Sequence, residues 1–92
     1  QETMTIQELR DSLRGVDTDT AISRISDYIA AHNDDDEAYL LRGMKHWSAG
    51  HRAKAINDYL EAIRLNPDSR AIQALQAAND ILDYYNKDLL NP

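Results

Sequence analysis

Apolar residues return along this chain at intervals of three and four, the spacing that places side chains on one face of an α-helix. Ile6, Leu9 and Leu13 form the first such stripe. Thr5 stands before it with Glu8 three residues on, a capping-box arrangement, and Gly15 follows, suited to the left-handed backbone that closes a helix. The second stripe is Ala21, Ile22, Ile25, Tyr28 and Ile29, opened by Asp17, whose carboxylate can accept the free N–H groups of a helix start. That helix is predicted to end near His32 and Asn33. The acidic run Asp34, Asp35, Asp36, Glu37 falls where a third helix begins, since negative charge there complements the helix dipole. The third helix is predicted to run to Gly50, and a fourth from Arg52 to about Leu65. Asn66–Pro67 stops the fourth, because proline disfavours helical geometry in the residue before it. A fifth, starting at Asp68 or Ser69, carries Ile72, Leu75, Ala78, Ile81 and Leu82 and is predicted to end near Tyr85, leaving a weakly helical tail from Asn86 to Pro92. Short loops between five helices imply antiparallel neighbours.

The pattern also repeats. A shift of 34 residues lays Leu13 on Trp47, Ala21 on Ala55, Ile22 on Ile56 and Ile29 on Ile63. A second shift lays Gly43 on Ala77 and Trp47 on Ile81. Two helices in such a period indicate a helical solenoid. The middle unit resembles the tetratricopeptide repeat, whose pattern is W-x2-L-G-x2-Y, then A-x3-F, then P. Tyr39, Arg42, Gly43 and His46 stand at the first set of positions, Ala55 and Tyr59 at the second, and Pro67 at the last. Gly43 and Ala55 are small where two helices of a pair must approach, and Tyr59 fills the space beside them. Two departures are that Arg42 stands where an aliphatic is usual and His46 where an aromatic is usual, so packing there is expected to be more polar. The first unit matches in its second helix only, with Leu9 at the glycine position.

The resemblance implies an all-α fold: a right-handed solenoid of two tetratricopeptide-like helix pairs plus a carboxy-terminal capping helix. Its parts are a divergent repeat at 5–35, a repeat at 36–69, a capping helix at 69–86 and a tail at 87–92 of one domain. It also implies that the first helix of each pair lines a concave groove where a ligand binds. Carried over by position, that face takes in Ile6, Arg10, Leu13, Leu40, Met44, Trp47, Ala74, Ala78 and Ile81. Within it, Arg10, Leu40, Met44, Trp47, Ala78 and Ile81 are the candidate partner-binding residues. Met and Trp together suit an adaptable apolar binding surface. The same residues could instead pack as core between neighbouring helices, and the spacing does not choose between the two. The groove lacks the Lys and Asn residues with which chaperone-binding members of the family clamp a peptide carboxylate.

Composition narrows the function. The chain has 92 residues, enough for one domain, and a formal net charge of −6, which argues against a nucleic-acid partner. It has no cysteine, so disulfides and thiolate metal sites are excluded. No apolar run approaches the roughly 20 residues of a membrane span, and the amino terminus lacks a secretory pattern, so a cytoplasmic protein without a membrane partner is expected. The acidic run lacks the alternating ligand spacing of a calcium loop, and His32, His46 and His51 are not spaced as a metal set. The basic stretch Arg42, Lys45, His46, His51, Arg52 and Lys54 reads better as a solvated turn than as an anion site. No nucleophile–histidine–carboxylate order and no glycine-rich phosphate loop occurs, so neither an enzyme nor a bound cofactor is expected. The leading expectation is a protein-interaction module that takes a protein or peptide partner in the apolar groove. A self-associating homodimer using the groove or the fifth helix is the alternative. Tyr84, Tyr85, Leu89 and Leu90 are too apolar for a freely solvated end, which predicts that the tail folds back over the fifth helix or packs on a second copy.

Overall fold

Side-chain caps open four of the five helices among the described residues, the fourth helix being the exception, because a side chain there can take over backbone groups left unpaired at a helix start. A computed structural model describes the backbone of residues 4–90 and the side chains of residues 4–81. Five helices occur among the described residues, with no strand: α1 (Ile6–Ser12), α2 (Thr18–Ala31), α3 (Asp36–Ser48), α4 (Arg52–Leu65) and α5 (Ala71–Leu90). At the head of α1 the capping box is complete, with the Glu8 N–H donating to Thr5 Oγ1 at 3.1 Å and the Thr5 N–H to Glu8 Oε1 at 2.8 Å. Gly15 then turns the chain at φ 72°, in the left-handed region. Asp17 caps α2 by accepting from the Thr20 N–H at 3.1 Å, and Asp35 caps α3 by accepting from the Glu37 N–H at 3.0 Å. The buried hydroxyl of Ser69 accepts the Ala71 N–H at 3.0 Å and opens α5.

α5 begins later than its sequence pattern predicts and runs further, to Leu90 rather than Tyr85. The backbone of residues 86–90 thus continues the helix instead of turning back over it, because no proline or glycine interrupts the chain before Pro92. The side chains of Tyr84, Tyr85, Leu89 and Leu90 lie outside the described residues. No helix among the described residues is long and apolar enough to cross a membrane.

α3 is the central element. It packs on α2 and α4, touches α5, and α4 packs on α5 in turn. The buried side chains form two clusters. One centres on Leu9, Ile25, Tyr28 and Ile29 of α1 and α2; the other on Leu40, Ala55, Tyr59, Ala62, Ala71 and Ala78 of α3, α4 and α5. Tyr39, half-buried, packs against both. At Gly43 α3 lies tight against α4: a Cβ there would lie 2.7 Å from Tyr59 Cε1 and 3.2 Å from the Ala55 carbonyl oxygen. Only hydrogen fits in that space.

Candidate functional site

α3 carries three different jobs on its sides. Its inward side holds Gly43 and His46, both buried. Beside them Arg42, at the position where the resembled repeat usually has an aliphatic residue, reaches Asp58 of α4 with two bonds, Nε to Oδ2 at 2.9 Å and Nη2 to Oδ1 at 2.8 Å. The third donor, Nη1, reaches Ser26 Oγ of α2 at 3.2 Å. Asp58 is buried, so this bidentate pair satisfies a carboxylate that water cannot reach freely. The bonds to Asp58 raise the Arg42 pKa above its ordinary value. His46 Nε2 lies 3.9 Å from Asp58 Oδ2, and its Nδ1 lies 3.3 Å from His51 Nδ1. Burial outweighs the Asp58 charge and lowers the His46 pKa below its ordinary value. Asp58 was missed in the sequence, although Ala55, Asp58, Tyr59 and Ala62 follow one helical face. A carboxylate on that apolar stripe was the available sign that Arg42 had a partner.

A second carboxylate joins three segments. Glu37, in the first turn of α3, accepts from Arg10 of α1 and from Arg70 at the entry to α5. The Arg70 bonds are the main cause that holds the Glu37 carboxyl below its ordinary value, with Arg10 adding to them against partial burial. Asn66 Nδ2 donates to Asp36 Oδ2 at 3.4 Å beside it. Tyr28 donates its hydroxyl proton to Asp35 at 2.8 Å, and burial with this bond pushes the phenol up to about 12.

The third side of α3 is open in part: Met44 and Ser48 are exposed, whereas Leu41 and Lys45 are half-buried and Leu41 packs against the first cluster. Leu41, Met44, Lys45 and Ser48 fall at i, i+3, i+4 and i+7 and form one strip. On the α5 flank of this strip is an open chamber of about 280 Å³, lined by Met44, Trp47, Ser48, Tyr59, Ala74, Ala77, Ala78 and Ile81. Met44 is 50% exposed and Ile81 40% exposed. Among the described residues, α5 presents Ala74, Ala77 and Ala78 opposite Met44 and Trp47, and these small side chains leave the room that forms the chamber. The Arg52 guanidinium lies 5.0 Å from the centre of the Trp47 ring. On the α1 flank is a second depression of about 300 Å³, lined by Arg10, Leu13, Arg14, Leu41 and Lys45.

Of the six candidate residues, Met44, Trp47, Ala78 and Ile81 come together around the chamber. Leu40 does not. It is 5% exposed, packed in the cluster that includes Ala71, because α5 covers α3 at that level before the chamber opens. Arg10 lies in the other depression with its guanidinium held by Glu37, so its first task is to join α1 to α3. Among the described residues no group of three or more His, Cys, Asp or Glu side chains is placed to hold a metal ion. No family model, curated protein or solved structure matches this chain.

Proposed function

We propose that the chain is a protein-interaction module of the cytoplasm, a right-handed stack of two tetratricopeptide-like pairs and a cap, and not an enzyme. It takes a peptide or protein segment on the outer side of α3. The observation that carries this reading is Met44, a large apolar side chain left half in water beside Trp47 and over an apolar chamber. Exposed apolar surface gathered around a concavity marks a binding site more often than the same surface scattered singly. The chamber is at the small end of ligand pockets, so it suits one or two side chains of a larger partner better than a whole cofactor. The tight Gly43–Tyr59 approach and the residue matches at 36–69 support the repeat reading.

The test is a selection of binders from a randomised peptide library, followed by transfer to Met44→Ser. Binders are expected to lose affinity for the variant while its melting temperature stays close to wild type. Light scattering on the free protein addresses the homodimer: a stable dimer broken by Met44→Ser would replace the partner by a second copy. Binders indifferent to Met44 would defeat the groove.

A further inference from the structure

The charge around the groove specifies its occupant further. Acidic residues outnumber basic ones 16 to 10 in this chain, yet among the described residues no acidic side chain lines either depression beside α3. The α1 flank instead carries Arg10, Arg14 and Lys45 over an apolar floor. These cations are not equally available. Arg10 is engaged by Glu37. Arg14 meets Asp11 at 3.6 Å with both side chains largely in water, a contact that a partner carboxylate can exchange. Lys45 forms no ion pair among the described residues. At physiological salt a charge is screened over about 8 Å, so a segment lying in the groove feels these cations before the net charge of the whole chain.

We infer that the groove takes an acidic amphipathic segment of a partner protein, with an apolar side chain in the chamber and side-chain carboxylates over Lys45 and Arg14. This rests on the binding role assigned above to the α3 strip. The strip fixes the partner's spacing as well. The chamber and the cations flank one helix, so their centres are separated by roughly a helix–helix distance, about 8–10 Å. In an extended segment that is an apolar residue and an acid about three positions apart, at about 3.3 Å per residue. In a helical segment it is about six or seven positions, at about 1.5 Å each. Basic segments are disfavoured, because Lys45 and Arg14 would oppose them directly.

The experiment uses the full chain and a tryptophan-free random peptide library displayed with its carboxy termini fused, which removes terminal carboxylates from the comparison. Binders lost on Met44→Ser are taken as groove binders and sequenced. They are expected to be enriched in Asp and Glu at the stated spacing from an apolar anchor. Titrated as synthetic end-blocked peptides, they should shift the fluorescence of Trp47, the chain's single tryptophan, with affinity falling as salt rises. Lys45→Glu should weaken them about fivefold or more, and Glu→Gln peptides should lose a similar factor. Met44-dependent binders that are neutral or basic, or that ignore Lys45→Glu, would overturn the acidic assignment and leave the groove reading standing. An absence of Met44-dependent binders would overturn the groove reading and this assignment with it.

Discussion

Leu40 and Met44 stand one turn apart on the same side of α3, yet the first is 5% exposed and the second 50%. Helical spacing could not separate them, since both are apolar and point the same way. Leu40 belongs to the buried cluster that Ala71 of α5 shares, whereas Met44 borders the chamber beside Ala74, Ala77 and Ala78. The two substitutions should therefore diverge. Leu40→Ala removes buried methyl groups and leaves a cavity, at a cost of about 2–5 kcal/mol. Met44→Ser should cost less than about 1 kcal/mol, because half of that surface already meets water. Urea titrations of the two variants measure this directly, and equal losses would place Met44 in the core. Gly43 gives a sharper case. Replacing glycine by alanine inside a helix ordinarily stabilises by about 1 kcal/mol. Here the new Cβ would stand 2.7 Å from the buried Tyr59 ring, so Gly43→Ala should destabilise by about 1–3 kcal/mol instead. A variant that melts at or above the wild-type temperature would show that Tyr59 yields freely.

Between elements, what the sequence made visible and what it hid follow a simple division. Caps act over two or three residues, so Thr5, Glu8 and Asp17 could be read as helix starts, and they are. The ion pairs join residues far apart in the chain, Arg10 and Arg70 on Glu37 or Arg42 on Asp58, and no local pattern reports such a meeting. His46 joins the same packing and makes it sensitive to pH. Burial lowers its folded pKa below the 6.5 it would have in an unfolded chain. The unfolded state then binds the proton first on acidification, so stability is full above about pH 6.5 and falls as pH drops toward the folded value. Asp58, Arg42, His51 and Lys54 are the charged and titratable groups around it, and only Asp58 opposes the shift. Unfolding free energy should thus decline from about pH 7 to about pH 5, and His46→Gln should flatten that decline. Glu37 has the same sign in a lower window: its depressed pKa adds stability above the ordinary carboxylate range that is lost as pH falls through its folded value. A wild-type protein as stable at pH 5 as at pH 7 would remove His46 from this role.

Across the whole molecule, the buried side chains fall in two clusters, with Tyr39 packed against both and the group around Arg42 reaching from α3 to α2 and α4. Arg42 of α3 touches Asp58 of α4 and Ser26 of α2, and its guanidinium also lies 5.5 Å from the Tyr39 ring centre. The all-helical class was legible from periodicity, and the polar character at Arg42 was legible from its departure from the pattern that the middle unit resembles. The use of that polarity to tie α2, α3 and α4 together was not, because it needed Ser26 and Asp58 placed in space. A buried pair of this kind need not stabilise the fold relative to an apolar pair of the same size, whereas breaking it leaves an unpaired charge indoors. Arg42 keeps some contact with water, its side chain being 23% exposed, so Arg42→Leu is expected to cost about 2–4 kcal/mol, below the full penalty for a sealed site. The double variant Arg42→Leu with Asp58→Leu removes the stranded carboxylate and should recover most of that loss. Guanidinium melts followed by far-ultraviolet circular dichroism and by Trp47 fluorescence test both points together. Trp47 reports on the cluster of α3, α4 and α5, and the backbone signal reports on all helices. If the Arg42 group couples the clusters, the two probes coincide in wild type and separate in Arg42→Leu, where the helices of the first cluster are free to melt apart from the second. Coincident transitions in every variant, with single and double substitutions equally destabilised, would mean that Arg42 fills space without joining the two halves.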